Sequence, residues 1–100
     1  MSSRTVIAVV LLLLVSGVAL AQSDIADKVD RRTVDVWSDG TRLSGDVWTP
    51  KGHGSSDSRG AIVMSHGWGG TRDHLNQAYA PWLAAEGFVV LTIDYRGWGD

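Results

Sequence analysis

Apolar and polar residues alternate along two short stretches in the first half of the chain. In Thr33–Trp37 and Leu43–Thr49 apolar and polar side chains alternate, so the pattern repeats every two residues. This is the period of a half-buried strand. The pair Asp39-Gly40 between them favours a tight hairpin turn. The pattern therefore predicts an antiparallel hairpin. Which face of its second strand is buried stays open, because Trp48 falls on the polar side.

Two nearly continuous apolar runs follow, Ala61–Met64 and Phe88–Ile93. Runs without alternation are typical of strands that are buried on both faces of a parallel sheet. The 23 residues at positions 65–87 between them are enough for a right-handed crossover helix. The second half of the chain is therefore predicted to form a parallel strand-helix-strand unit.

The crossover helix is predicted to begin near Tyr79 or Ala80. Helical spacing of large side chains starts there, and Pro81 fits best in a first helical turn. Gly87 is a suitable C-terminal stop. We expect Thr71–Gln77 to form a separate short turn. The order of hairpin, strand, glycine turn, helix and strand predicts an α/β fold.

The first 21 residues have the features of an export signal. Arg4 precedes the apolar run Val6–Val15, and the alanines at 19 and 21 give a small-x-small cleavage pattern. The alternative is a membrane anchor, but the run is short of the ~20 apolar residues that a spanning helix needs. We predict a signal peptide over residues 1–21, a solvated polar lead-in over 22–32 and the N-terminal part of a larger folded domain over 33–100.

Composition narrows the chemistry that the chain can perform. The sequence contains no cysteine, which excludes disulfides, a thiol nucleophile and cysteine-ligated metals. Its 9 basic and 11 acidic residues give a formal net charge of −2 with no basic stripe, so nucleic acid is not expected as a partner.

A glycine-rich turn follows each apolar run. The first is the H-G-W-G-G motif at residues 66–70, and the second is the D-Y-R-G-W-G-D motif at residues 94–100. Both are expected at the same edge of a parallel sheet, where open α/β folds place their chemistry. Unencumbered backbone N–H groups in the first turn are suited to stabilise an oxyanion, although glycine there also has a purely conformational explanation. Asp94 and Arg96 are expected to brace the second loop by hydrogen bonds or an ion pair.

The other candidate residues have weaker signals. Asp73 and His74 are adjacent and do not face each other on a helix, so His74 is expected to be exposed or to cap a helix. His66 and His74 lack a third ligand at a familiar spacing, and no metal site is predicted. Trp68 and Trp98 lie on the two turns. Our hypothesis is that they line an acyl or leaving-group pocket, the alternative being plain loop packing.

The two glycine motifs and the preceding hairpin resemble the start of the α/β-hydrolase fold, over about residues 33–100. The nearest branches are the dienelactone-hydrolase-like and Xaa-Pro-dipeptidyl-peptidase-like hydrolases. The resemblance implies that the Trp68 N–H supplies half of an oxyanion hole, and that the other N–H follows the nucleophile. It implies no metal or organic cofactor. The residues that it assigns to supporting the turn and the pocket are His66, Gly67, Gly69, Gly70, Asp94, Arg96 and Trp98.

The catalytic triad of that family has no counterpart in this sequence. No G-x-S-x-G motif occurs, and in the family the nucleophile follows the second glycine loop, so the serine, acid and histidine are expected beyond Asp100. This segment alone is then expected to be inactive. The implied function is that of an exported serine hydrolase, without stable membrane insertion, that cleaves an ester or amide bond in a small-molecule or peptide substrate.

Two alternatives from other classes stay open. The first is a non-catalytic exported binding protein on a hydrolase-like scaffold. The second is a dinucleotide-binding β-α-β unit, because strand, G-x-G turn, helix and a strand ending in Asp94 imitate that fingerprint. Arg72 at the place of the third glycine counts against it.

Overall fold

A computed structural model describes residues 2–99, with the side chains of residues 15–23 excepted. Asp100, which ends the second glycine loop, and the side chains of the predicted cleavage motif lie outside the described residues. The elements are α1 (Ser3–Ala26), β1 (Val29–Ser38), β2 (Thr41–Pro50), β3 (Ala61–Ser65), α2 (Arg72–Ala78), α3 (Ala80–Ala85) and β4 (Val89–Ile93).

The strands form one mixed sheet in the order β1-β2-β4-β3. β2 pairs antiparallel with both β1 and β4, whereas β3 and β4 are parallel. In the hairpin turn Asp39 and Gly40 have φ of 47° and 75°, and Ser38 faces Thr41 across it. A glycine tolerates this conformation without steric cost. The predicted hairpin and the predicted parallel pair are both confirmed.

The hairpin begins earlier than its alternation predicts. β1 starts at Val29, four residues before Thr33, and Val29 is 6% exposed in its pairing with Pro50. Arg31 lies with its guanidinium 5.1 Å from the centre of the Trp48 ring. Residues 29–32 are therefore part of β1, with Val29 buried and the side chains of residues 30–32 exposed. The sequence pattern does not predict a strand here because most of these side chains are charged. Cross-strand contacts, rather than an apolar pattern, stabilise this part of β1.

The parallel strands differ in their burial. β4 lies between β2 and β3, and Val90 and Thr92 are fully buried beneath the helices. β3 is an edge strand, and Val63 is 67% exposed on the face opposite the helices. Val89, Leu91 and Ile93 of β4 are half-buried on that same face. In the described residues α2 and α3 pack on one face of the sheet, so neither parallel strand is buried on both faces.

The crossover is split into two short helices. α2 ends at Ala78 and α3 starts at Ala80, with Pro81 in the first turn of α3. Proline lacks the N–H that would continue one helix through this point, so the break follows from the sequence. Gly87, with φ of 112°, ends the segment. The predicted start and the glycine stop are confirmed, whereas the segment predicted as a separate short turn is the helix α2.

α1 precedes the sheet in the chain, and its apolar side chains from Val6 to Leu14 are exposed. None of the helices in the described part of the chain has the length and hydropathy needed to cross a membrane. The signal peptide stays a prediction.

The space between helices and sheet contains both an apolar and a polar cluster. The apolar cluster is small, and its buried members are Val29, Trp48, Ala80, Ala84 and Val90. Beside it lie buried polar side chains: Ser44, Asp46, His66, Arg72, Asn76, Thr92 and Asp94. The face of β2 that carries Ser44, Asp46 and Trp48 is therefore the buried one. This settles the alternative that the sequence pattern leaves open.

Candidate active site

The two glycine motifs meet at one edge of the sheet, as predicted. Ser65 and Ile93 are register partners at the ends of the parallel pair β3 and β4, and each motif begins at the next residue. His66 and Asp94 are consequently neighbours, with 3.9 Å between His66 Nε2 and Asp94 Oδ1. Both residues are buried.

His66 connects the first turn to the second loop. The Tyr95 hydroxyl donates to the His66 carbonyl oxygen at 2.5 Å, and the Tyr95 N–H donates to His66 Nε2 at 3.4 Å. His66 Nδ1 lies 2.9 Å from the Gly67 carbonyl oxygen. These partners assign the proton to Nδ1, because Nε2 accepts a hydrogen bond and a carbonyl cannot donate one. Both ring nitrogens of His66 are thus engaged, and the residue joins the first turn to the second loop.

The first turn presents its backbone to solvent. The Gly70 N–H closes it by donating to the Gly67 carbonyl oxygen at 3.1 Å, and Gly69 has φ of 74°. Within residues 2–99 the Trp68 N–H has no acceptor in the protein. Together with Tyr79 and neighbouring residues, the turn lines a cleft of about 350 Å³. An unpaired N–H beside a cleft is the donor that an oxyanion hole requires.

The two tryptophans of the motifs lie together at this edge. The Trp68 and Trp98 rings meet edge-on, with 6.2 Å between their centres, and the Trp68 side chain is 98% exposed. The structure brings the two residues together on the open side of the turns. Their role in a substrate pocket stays a hypothesis.

Asp94 is braced by a different arginine from the one expected. Its carboxylate accepts hydrogen bonds from the backbone N–H of Arg72, at 2.7 Å, and from the Arg72 guanidinium. Arg96 instead donates to the Ser38 carbonyl oxygen in the hairpin turn at 3.1 Å. The second loop turns back at Tyr95, which buries Asp94 and leaves Arg96 exposed. The expected contact between Asp94 and Arg96 is thus corrected.

Asp46, on β2, is a site residue that sequence reasoning missed. Its carboxylate is fully buried and accepts four hydrogen bonds, at 2.7–3.0 Å. The donors are Arg31, Thr33, Arg72 and Asn76. One sequence feature could have identified it: an acidic residue lies at the centre of a strand that is predicted to be half-buried. If such a carboxylate is buried, it requires hydrogen-bond or ionic partners.

Asn76 continues the network towards β4. Its side-chain oxygen accepts from the Trp48 indole N–H at 2.9 Å and from the Thr92 hydroxyl at 2.7 Å. The polar side chains that surround Asp46 are therefore satisfied, and helix α2 is joined to two strands by directional bonds. Such a network is rigid because each member is held by others.

Gly99 lies directly against the Asp94 carboxylate. A Cβ atom at this position would come within 2.1 Å of Asp94 Oδ2, and the φ of Gly99 is 71°. The second loop closes over Asp94 only because residue 99 has no side chain. The last glycine of the motif thus serves the burial of this carboxylate.

The buried state of Asp46 predicts a dependence of stability on pH. Burial opposes ionisation, but hydrogen bonds from Arg31, Thr33, Arg72 and Asn76 outweigh it and lower the pKa of Asp46 from 3.8 to about 2. Because the folded-state pKa is the lower one, this stabilisation is complete above pH ~4 and is lost as the pH falls towards ~2. We expect up to about 2 kcal/mol of unfolding free energy to disappear in that window.

Urea unfolding at a series of pH values measures this effect. The control is Asp46→Asn, which cannot ionise. Its free energy of unfolding should fall less steeply than that of the wild type between pH ~4 and ~2. An equally steep fall in both proteins would contradict the role of Asp46.

His74 and the dinucleotide alternative are also resolved by geometry. His74 is exposed, and its Nδ1 accepts a hydrogen bond from the Thr71 N–H at the start of α2, so it caps the helix as expected. In a dinucleotide site Asp94 would bind a ribose. Here it is fully buried and paired with Arg72, so it is not available to a ligand.

The sheet order, the crossover and the two turns at one edge are those of the α/β-hydrolase fold. The chain matches the family described as X-Pro dipeptidyl-peptidase (S15 family) over residues 39–100, and it belongs to that family. The predicted family and fold class are confirmed.

Among curated proteins, the chain is 51% identical over 39 residues to the quorum-quenching protein AidA of Acinetobacter baumannii. That match covers 39% of this chain and 13% of the relative. The chain therefore spans a small part of the length of this relative.

Solved structures agree on the fold. The hypothetical protein PA2218 from Pseudomonas aeruginosa is 33% identical with a TM-score of 0.64, covering 72% of this chain and 22% of that one. The bacterial brefeldin A esterase is 26% identical with a TM-score of 0.57, covering 72% and 21%. Thermogutta terrifontis esterase 2, phosphonylated by cyclosarin, is 25% identical with a TM-score of 0.57, covering 65% and 26%.

Proposed function

We propose that this chain is the N-terminal part of an exported serine hydrolase that cleaves an ester or amide bond by acyl transfer. The hydrolase class rests on the family and on the esterases of similar fold. The serine mechanism, the export and the location of the triad beyond Asp100 are part of the proposal. The substrate is a small molecule or a peptide that carries an acyl group.

The observation that carries the proposal is the Trp68 N–H at the end of β3. It is unpaired within the described residues and belongs to a turn that is closed by its own hydrogen bond. A donor that is already in place needs no reorganisation when negative charge develops on a carbonyl oxygen, and this is why such donors accelerate acyl transfer.

In the proposed reaction a serine beyond Asp100 attacks the carbonyl carbon, and its hydroxyl proton passes to a histidine that is oriented by an acid. A C–O bond forms, and the carbonyl oxygen becomes an oxyanion held by the Trp68 N–H and by an N–H next to the serine. The bond to the alcohol or amine breaks as the histidine returns the proton to this leaving group. Water then releases the acid from the acyl-enzyme by the same steps.

Covalent labelling of the full-length protein tests the proposal. One esterase of similar fold is phosphonylated by cyclosarin, so we expect a fluorophosphonate probe to label one serine beyond Asp100. A p-nitrophenyl ester and an X-Pro p-nitroanilide should then distinguish esterase from peptidase activity. The matched control is the protein in which the labelled serine is replaced by alanine, which should lose both labelling and hydrolysis.

The binding-protein alternative predicts a different result. A folded, full-length protein that neither reacts with the probe nor hydrolyses either substrate would contradict the hydrolase proposal. A ligand-binding role on the same scaffold would then be favoured.

A further inference from the structure

We propose that Arg72 is a positioning residue. It donates to two buried carboxylates at once and thereby fixes the position of the first glycine turn, at residues 66–70. This inference rests on the proposed function, because it concerns how the Trp68 N–H is placed. The three residues Asp46, Arg72 and Asp94 are called the carboxylate clamp below.

The clamp acts through both the main chain and the side chain of Arg72. Arg72 is the first residue of α2 and comes two positions after the turn ends at Gly70. Its N–H donates to Asp94 Oδ1 at 2.7 Å, and its guanidinium donates to Asp94 Oδ2. The Nε group of the same guanidinium donates to Asp46 Oδ2 at 2.9 Å. The start of the helix is therefore attached to the end of β4 and to the middle of β2.

Both carboxylates are themselves immobilised. Asp46 is held by three further donors, which are Arg31, Thr33 and Asn76. Asp94 is enclosed by the second loop at Gly99. The Arg72 side chain is 7% exposed, so water does not compete freely for these bonds. The turn is thus fixed at its C-terminal end by the buried contact of Arg72 with two carboxylates, and at its N-terminal end by β3.

The geometry requires arginine rather than any cation. A guanidinium is a planar fork that can donate to two carboxylates in different directions, whereas a lysine ammonium is a point charge on a flexible stem. Arg72→Lys keeps the charge that the two buried carboxylates require, but it loses the simultaneous contact. It therefore tests position separately from charge balance.

Loosening the clamp should move the turn without removing any group that touches substrate. A displacement of about 1 Å in a catalytic donor can cost about 10²-fold in rate. We expect Arg72→Lys in the full-length protein to lower kcat by ~10–100-fold with little change in KM. Substrate binding in the ground state does not depend on this donor, and stabilisation of the transition state does.

Arg59→Lys is the matched control. Arg59 is exposed and donates to the Gly87 carbonyl oxygen at 3.4 Å, away from the three residues of the clamp. It should leave kcat unchanged. An equal fall in kcat for both variants would mean that the loss is not specific to the clamp, and this would overturn the proposal.

A second measurement does not depend on activity. The Gly70 N–H closes the turn, so its rate of hydrogen exchange reports the geometry of the turn directly. We expect exchange at Gly70 to be about tenfold faster in Arg72→Lys and unchanged in Arg59→Lys. Unchanged exchange at Gly70 in Arg72→Lys would overturn the clamp.

The two proposals fail in different ways. If the wild-type protein shows no hydrolysis while Gly70 exchange still responds to Arg72→Lys, the proposed function fails and the clamp stands. If Arg72→Lys does not fold, Asp94→Asn replaces it. That variant keeps an acceptor for the Arg72 N–H but removes the charge that holds the guanidinium, and the same rise in Gly70 exchange is expected.

Discussion

Trp68→Pro in the full-length protein is expected to lower kcat by ~10²–10³-fold. The substitution removes the backbone N–H that we place in the oxyanion hole, and loss of one such donor has an effect of this size in acyl-transfer enzymes. The indole itself contributes little to stability, because Trp68 is almost fully exposed. Steady-state kinetics with a p-nitrophenyl ester measure the change.

Trp68→Ala is the matched control for this experiment. It keeps the N–H and removes only the indole, so kcat should remain within a few-fold of the wild type while KM reports any contact of the ring with substrate. Circular dichroism should show the same fold for both variants. A folded Trp68→Pro variant with unchanged kcat would contradict the assignment of the Trp68 N–H to the oxyanion hole.

Asp46→Ala is expected to lower the free energy of unfolding by about 3–5 kcal/mol. The change removes the shared acceptor of four buried or partly buried donors, and it leaves the buried Arg72 guanidinium with one carboxylate instead of two. Removing one partner from a buried ion pair is costly because the remaining charge is not returned to water. Urea-induced unfolding, followed by tryptophan fluorescence, measures the loss.

Asp35→Ala provides the comparison. Asp35 also pairs with an arginine at 3.0 Å, but both Asp35 and Arg42 are about half exposed. Exposed pairs contribute about 0–1 kcal/mol because water and salt screen them. Comparable losses for the two variants would contradict the view that Asp46 is the anchor of the network.

Much of the architecture could be predicted because its signals are local. Asp39-Gly40 marks a hairpin turn, Pro81 marks the start of a helix and Gly87 marks its end, each through the φ angles that these residues allow. The start of β1 was missed for the converse reason. The charged residues there are strand only because β2 is beside them.

The partner of Asp94 was beyond the reach of local reasoning. Arg96 is two residues away and Arg72 is 22 residues away, and both carry the same charge. Spacing along the chain favours the nearer one. The choice depends on which side of the sheet the loop turns towards, and the structure shows Asp94 turned to the buried side and Arg96 to the exposed side.

The sequence by itself determined that two glycine motifs end two parallel strands, and hence that they meet at one edge, because parallel strands place their carboxyl ends together. It also determined the family and the candidate donor at Trp68. Only the tertiary structure decided that the polar face of β2 is the buried one and that Arg72 bridges Asp46 and Asp94. A strand period of two tells which side chains share a face but not what covers that face, and here α2 and α3 together cover it.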